Sequence, residues 1–261
     1  MAAGEEALQE LLERRFDELD LLVIYLDGMM FGEQHVISAV GVDAEGRKHV
    51  LGIQQGATEN AAAVEDLLGR LVTRGVKPEV KRLFVIDGAK ALRAAINKVF
   101  GSLHPVQRCR NHKIRNVVER LPEEQKEQVK AAMRASYRLD AKEGIARLRK
   151  LADWLEQEQP AAAASLREGL EECFTINRLR VPSSLHRCLA TTNLIESSQS
   201  GVRLRTRRVC RWRDAAMMQR WVAASFLATE KNFRRIMGWK DLWQLQAILG
   251  RQKSAAQQEV A

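Results

Sequence analysis

The chain has 261 residues, 46% of them hydrophobic and 29% charged, enough apolar material for a sizeable core as one large domain or a domain carrying an insertion. No apolar run approaches the ~18 residues a membrane helix needs, and the acidic start of the chain lacks the basic and apolar regions of a secretion signal, so the expectation is a cytoplasmic protein with no membrane partner. The formal net charge of +9 is unevenly spread: residues 1–80 hold 7 Lys and Arg against 15 Asp and Glu, and residues 81–261 hold 35 against 18, so a surface for a polyanion lies in the later two-thirds.

In chain order, Leu8, Leu11, Leu12 and Phe16 recur at helical spacing and predict an amphipathic helix before the first apolar run, residues 21–26. That run is continuous rather than alternating, as in a strand covered on both faces, and it is expected to stop at Asp27-Gly28. Two more strands, over 36–42 and 50–53, flank the turn-forming Asp43-Ala44-Glu45-Gly46 and predict a meander. Helical periodicity over 59–72 opens at Thr58 as the predicted N-cap. Residues 83–86 form a further buried strand that ends at Asp87-Gly88 and runs directly into a helix over 89–100. A short fifth strand is expected around Val106.

From 122 to 174 the composition is that of helices, with a break near Pro160. A helix starts within Thr191-Thr192-Asn193-Leu194-Ile195-Glu196, an arginine-rich stretch follows, and a long helix is predicted over 213–236. The tail from Ser254 is expected to fray. This order is that of an α/β protein with an RNase H-like fold, a mixed five-stranded sheet flanked by helices. The expected organisation is a lead-in helix (1–20), a core in two parts (21–121 and 182–250), a helical insertion (122–181) and a frayed tail (251–261).

Asp27 and Asp87 both follow buried strands, at the edge where open α/β sheets place ligands. If the two strands are neighbours, ~4.8 Å apart, their carboxylates can share metal ions spaced ~3.5–4 Å from each other. Mg²⁺ takes one or two carboxylates with water and phosphate, so two aspartates and a later glutamate, Glu196, would leave room for a nucleic-acid backbone. Gly28 and Gly88 would let that backbone approach. Each residue also has a purely structural reading. Asp27-Gly28 is a hairpin-turn dipeptide, Asp87 fits an N-cap for the next helix, and Asn193 with Glu196 fits a capping box.

The segments Val23-Ile24-Tyr25-Leu26-Asp27-Gly28, Phe84-Val85-Ile86-Asp87-Gly88-Ala89-Lys90-Ala91-Leu92, Gln107-Arg108-Cys109-Arg110-Asn111-His112-Lys113 and Thr191-Thr192-Asn193-Leu194-Ile195-Glu196-Ser197 resemble, in this order, the Mutator-type transposases of bacterial insertion sequences. The resemblance covers nearly the whole chain from about residue 13. It implies an RNase H-like fold interrupted by helices between the second Asp and the Glu. It further implies Asp27, Asp87 and Glu196 as a catalytic triad holding two Mg²⁺ or Mn²⁺ ions, and cleavage and strand transfer on DNA, both transposon ends and target. Such an enzyme is expected at the nucleoid, as a homodimer or higher assembly. Relatives also carry an N-terminal DNA-binding region, which this chain is expected to lack. Two other readings stay open: a catalytically inert truncated relative that binds DNA or its sibling, and an RNase H-like host nuclease.

Cys109 and His112 have the spacing of half a zinc site, which His186 and Cys188 would have to complete; the resemblance instead makes Cys109-x-x-His112 a supporting motif beside the active site, together with Asn193. Arg203, Arg205, Arg207, Arg208, Arg211 and Arg213 crowd the stretch after Glu196 and are expected on DNA phosphates, with a solvated charged face as the alternative. Lys90, at a helix start, is a further phosphate contact or a solvent-facing lysine. Trp212, Trp221, Phe226 and Phe233 are expected in the core rather than as base-stacking platforms. Cys109, Cys173, Cys188 and Cys210 are too few and scattered for a disulfide framework.

Overall fold

A computed structural model describes residues 2–31, 33–58 and 60–251; of the tail expected to fray, 252–261 lies outside the described residues, while Arg251 is held, its guanidinium donating to Leu21 O at 2.7 Å. The apolar runs assemble as β1 (Leu21–Phe31), β2 (Gln34–Asp43), β3 (Lys48–Gln55), β4 (Leu83–Ile86) and β5 (Val106–Arg108), in the spatial order β3-β2-β1-β4-β5. β2 runs antiparallel to β1 and β3, while β4 and β5 run parallel to β1. The meander closes at Asp43, whose Oδ1 accepts from the backbone N–H of Glu45 (3.0 Å) and Arg47 (2.8 Å); a short polar side chain that satisfies a turn's own donors is what makes this sequence a turn. The parallel strands need covering crossovers, which the helices provide.

These are α1 (Ala2–Glu13), α2 (Ala61–Thr73), α3 (Lys90–Phe100), α4 (Arg110–Val118), α5 (Glu123–Ser136), α6 (Ala141–Glu156), α7 (Pro160–Arg167), α8 (Thr175–Arg178), α9 (Ser183–Leu189), α10 (Asn193–Thr206), α11 (Ala215–Glu230) and α12 (Leu242–Ile248). One sheet face packs on α2 and α3, where Ile24, Leu26, Phe84 and Ile86 meet Leu68, Leu71, Leu92 and Ile96. On the other face Tyr25, Val40 and Val85 meet Leu185, Leu189 and Ile195, while Met29, Phe31 and Val36 meet Leu11, Val202 and Phe226. Both faces of β1 are therefore covered, which is why its first part reads as an unbroken apolar run. The helices from α4 to α7, with the turn that follows them, enclose a separate apolar cluster that includes Val117, Met133, Leu148, Leu166 and Phe174.

Several boundaries differ from expectation. β1 does not stop at Asp27-Gly28 but continues to Phe31, because β2 pairs with it throughout, Gly28 opposite Ile37 and Phe31 opposite Gln34; ladder pairing overrides the local turn tendency of Asp-Gly. α2 is capped by Asn60, whose Oδ1 accepts from Ala63 N at 3.3 Å, rather than by Thr58. Thr58 is instead turned against Gly28, where an added Cβ would lie 2.9 Å from Thr58 Cγ2. The long predicted helix is shorter at both ends: Asp214 caps it through Met217 N at 2.6 Å, and the chain leaves it after Glu230 so that Ile236 N can reach Gly46 O at 2.9 Å. Pro160 stands at the first turn of α7, a position that needs no N–H. Trp221, expected in the core, is 44% exposed on the outer side of α11, whereas Phe226 is buried and Trp212 packs edge-on against Phe31. Phe233 is half-buried beneath Lys48, whose Nζ stands 4.5 Å from the ring centre.

Candidate active site

The register of the sheet brings the first two carboxylates together. Parallel pairing of β1 with β4 ends at Leu26 opposite Ile86, so Asp27 and Asp87 are the next residues of each chain beyond the last pair. Tyr25 faces α9 and α10, and strand alternation puts Asp27 on that same side. Asp27 is therefore not at the end of its own strand, as expected, but at the end of the parallel ladder. Across β2 it pairs with Ser38, whose Oγ donates to the Asp27 carbonyl at 3.3 Å.

Asp87 leaves the sheet and its Oδ1 accepts from Ala89 N at 2.8 Å. The N-cap of α3 is Ala89, with no side-chain cap, so Asp87 does not cap that helix. Glu196 comes from the first turn of α10, which lies along β1. The capping box does not form: Asn193 is the first helical residue and its Oδ1 accepts from Asn111 Nδ2 at 3.0 Å, while Glu196 Oε1 accepts from Thr192 Oγ1 at 2.7 Å. One turn on, Gln199 donates to Ser38 Oγ at 3.2 Å and hydrogen-bonds the Asp27 carboxylate, tying helix to strand.

Electrostatics record this convergence. The Asp27 carboxyl is pushed from 3.8 up to about 7, chiefly by burial, then by the charge of Asp87, with Glu196 adding and His112 and Gln199 opposing. His112 is raised above its ordinary value, first through its hydrogen bond with Cys109 and also by Asp27. Cys109 is buried, which alone would raise its thiol, but its hydrogen bonds with His112 and Thr192 bring it below the ordinary value. Asp27, Gly28, Thr58, Asp87, His112 and Arg203 line a cleft of about 310 Å³.

The remaining expected residues divide. Arg203 reaches this cleft, two turns beyond Glu196 on the same face of α10. Arg205 lies near the helix end and donates to the carbonyls of Gly201 and Ala228; Arg207, Arg208, Arg211 and Arg213 are exposed. No carboxylate among the described residues pairs with any of these six arginines. Lys90 is 88% exposed at the start of α3, with Glu168 Oε1 3.9 Å away. Gly88 has φ of +109° and lies over Arg108, whose Nε would be 2.0 Å from an added Cβ; a buried guanidinium, not only an approaching ligand, accounts for this glycine.

His186 and Cys188 do not complete a zinc site with Cys109 and His112. His186 Nε2 hydrogen-bonds Val181 O at 2.9 Å and Cys188 Sγ lies 3.6 Å from Met237 O. The ligand atoms that do converge, within 4.8 Å among the described residues, are those of Cys109, His112 and Glu196. All four cysteines are free. Thr192, Gln199 and Ser38 were not singled out from the sequence as site residues. The signal for two of them was present in helical spacing, four residues before and three after Glu196.

The Gln107–Lys113 segment has two sides. Gln107, Arg108, Arg110 and Lys113 bond to carbonyls of Cys173, Glu168, Tyr137 and Ser165 in the helical region, while Cys109 and His112 face the start of α10.

The chain is 32% identical over 204 residues to the transposase for insertion sequence element ISRM5 of Rhizobium meliloti (strain 1021), covering 77% of this chain and 49% of that protein. It is 34% identical over 170 residues to the transposase for IS6120 of Mycolicibacterium smegmatis, covering 64% and 51%, and 28% identical over 232 residues to the transposase for IS1081 of Mycobacterium tuberculosis, covering 86% and 54%. The chain thus spans about half the length of the curated relatives it matches. The family profile described as "Transposase, Mutator family" matches residues 3–236, which takes in all three acidic residues and every element from α1 to α11, and on that match the chain belongs to the Mutator family of transposases.

Proposed function

We propose that this chain is the catalytic core of a transposase that cleaves DNA and transfers strands by metal-dependent phosphodiester chemistry, with Asp27, Asp87 and Glu196 holding two Mg²⁺ or Mn²⁺ ions. The observation that supports it best is the raised carboxyl of Asp27. Asp87 lines the same cleft as Asp27, and Asp87 and Glu196 are each near enough to make ionisation of Asp27 harder. Their oxygens are the donor set hard divalent cations require, so the residues fit the ions. When bound, such ions would lower the pKa of an attacking water or hydroxyl and stabilise charge on the leaving oxygen.

The chain's own residues supply position. Asp27 is fixed by the β1–β2 ladder and by Gln199, Asp87 by the amide of Ala89, and Glu196 by Thr192. Arg203, at the cleft and without a carboxylate partner among the described residues, is placed to hold a DNA phosphate. On this reading the mixed sheet is an RNase H-like core, the helices of 122–181 are an insertion into it, and the DNA partners are transposon ends and target.

The test is cleavage of DNA carrying the ends of the element, with Mg²⁺ or Mn²⁺. The wild type is expected to nick at the ends, and Asp27→Ala, Asp87→Ala and Glu196→Ala each to abolish nicking while retaining DNA binding. Full activity in any one of these variants, or cleavage indifferent to chelator, would overturn the assignment. Equal cleavage of DNA without ends would replace it with a general nuclease.

A further inference from the structure

We infer that Thr192 is a positioning residue: its hydroxyl sets the carboxylate of Glu196, and Cys109 and His112 fix that hydroxyl from behind. The inference rests on the reading of Glu196 as a metal ligand. Thr192 is fully buried. Its Oγ1 lies 2.7 Å from Glu196 Oε1, 3.2 Å from His112 Nδ1 and 3.3 Å from Cys109 Sγ. The place the three convergent ligand atoms surround is thus taken by a hydroxyl oxygen.

A hydroxyl has one proton and two acceptor sites. An ionised carboxylate can only accept, so the proton goes to Glu196, which is also the shortest contact. Oγ1 then keeps a lone pair for His112 Nδ1–H, and the same hydroxyl proton lies within longer reach of the Cys109 sulfur. Cys109 Sγ is an acceptor throughout, from Thr192 N at 3.4 Å, His112 N at 3.5 Å and, at longer range than Glu196, the Thr192 hydroxyl. The hydroxyl thus links His112, as donor, to Glu196, as acceptor, with the Cys109 sulfur packed beside it.

A second observation is independent of those distances. Thr192 is the N-cap of α10, where threonine ordinarily accepts from an amide of the first turn, yet it makes no side-chain cap hydrogen bond. The hydroxyl forgoes capping and bonds the side chain of Glu196 instead. Glu196 is 36% exposed, so without this bond its side chain would sample several rotamers. Cys109, meanwhile, caps α4 through His112 N and holds Thr192 N, so the starts of α4 and α10 meet on one sulfur.

The experiment compares Thr192→Val, which keeps the shape and removes the hydroxyl, with Thr192→Ser, which keeps the hydroxyl. Mn²⁺ binding is read by calorimetry or paramagnetic resonance, and the Mn²⁺ dependence of end cleavage alongside it. Thr192→Val is expected to weaken Mn²⁺ binding ~10–100-fold and to raise the Mn²⁺ concentration needed for cleavage by a similar factor, with Thr192→Ser restoring most of both. Wild-type Mn²⁺ affinity in folded Thr192→Val overturns the inference. Should that variant not fold, His112→Phe carries the same question: it must weaken Mn²⁺ binding although it leaves Glu196 and Thr192 in place, and unchanged affinity there is equally adverse. Glu196→Gln separates the two levels. If it too binds Mn²⁺ normally, Glu196 is no ligand and the functional reading fails; if only Glu196→Gln loses the ion, the positioning role alone fails.

Discussion

Replacing Asp27 by Asn should make the metal-free protein more stable at neutral pH. Asp27 is 5% exposed, and its carboxyl is raised from 3.8 to about 7, by burial first and then by Asp87 and Glu196. A folded-state value above the unfolded one means that the folded protein holds the proton more tightly. The associated stability is therefore fully present below pH 3.8 and is lost as pH rises through about 7. At 1.36 kcal/mol per pH unit the loss amounts to ~4 kcal/mol above that window. Asn keeps the shape, still meets Gln199 and carries no charge, so Asp27→Asn removes most of this cost. Urea unfolding in chelator from pH 4 to pH 8 is the assay. The two proteins should be close at pH 4 and diverge as pH rises, the variant ending several kcal/mol more stable by this estimate. Parallel profiles, or a variant less stable at pH 8, would refute the account of Asp27 as a buried carboxylate pressed by its neighbours.

Gly88→Ala should cost more stability than Gly101→Ala, as read by denaturant midpoints. Both glycines have positive φ, a backbone cost of ~1–3 kcal/mol for alanine, but a Cβ at Gly88 meets Arg108 Nε at 2.0 Å while one at Gly101 meets open space. Arg110→Ala should cost ~3 kcal/mol or more, because buried Arg110 donates to Cys173 O, Tyr137 O and Asn177 Oδ1. Hydrogen exchange should show α5 to α7, whose apolar cluster is separate from those on the sheet, losing protection before the sheet does. On the proposed function, Arg203→Ala should lower the salt slope of DNA binding by about one, and Arg205→Ala by less, since Arg205 is already committed to two carbonyls; equal slopes would count against Arg203 as a phosphate contact.

Much of the fold was legible because burial leaves a direct trace in sequence. β4 is a four-residue apolar run with an abrupt polar end, and it occupies those same four residues in the structure. What failed were positions where a distant partner decides. Asp27-Gly28 has a turn's local preference, but the pairing of β2 carries β1 on to Phe31, and that pairing is a property of the hairpin rather than of the dipeptide. α11 stops where Ile236 is needed at Gly46, a contact 190 residues apart in sequence that no window of helical periodicity contains.

The candidate site divides in the same way. Asp27 and Asp87 could be picked out because each follows a buried strand, and Glu196 because it opens a helix within a recognisable motif. Their surroundings could not. Thr192 bonds Cys109 across 83 residues and Gln199 bonds Ser38 across 161, and a threonine or glutamine on a helix carries no mark of what lies opposite. The two-sided segment from Gln107 to Lys113 gives those contacts a common cause. Its arginines and lysine hold the helical region by backbone carbonyls, while Cys109 and His112, on the same short stretch, hold the start of the Glu196 helix. A basic, half-polar run that looks like surface is in fact largely buried: Lys113 has no exposed side-chain area, and burial, then Arg108, lower its amine to about 8. Burying that much charge is tolerable only with partners, here backbone carbonyls and the Glu168 carboxylate, so the helical region is bound to the sheet at the segment that also holds Glu196. A disturbance of one should be felt at the other.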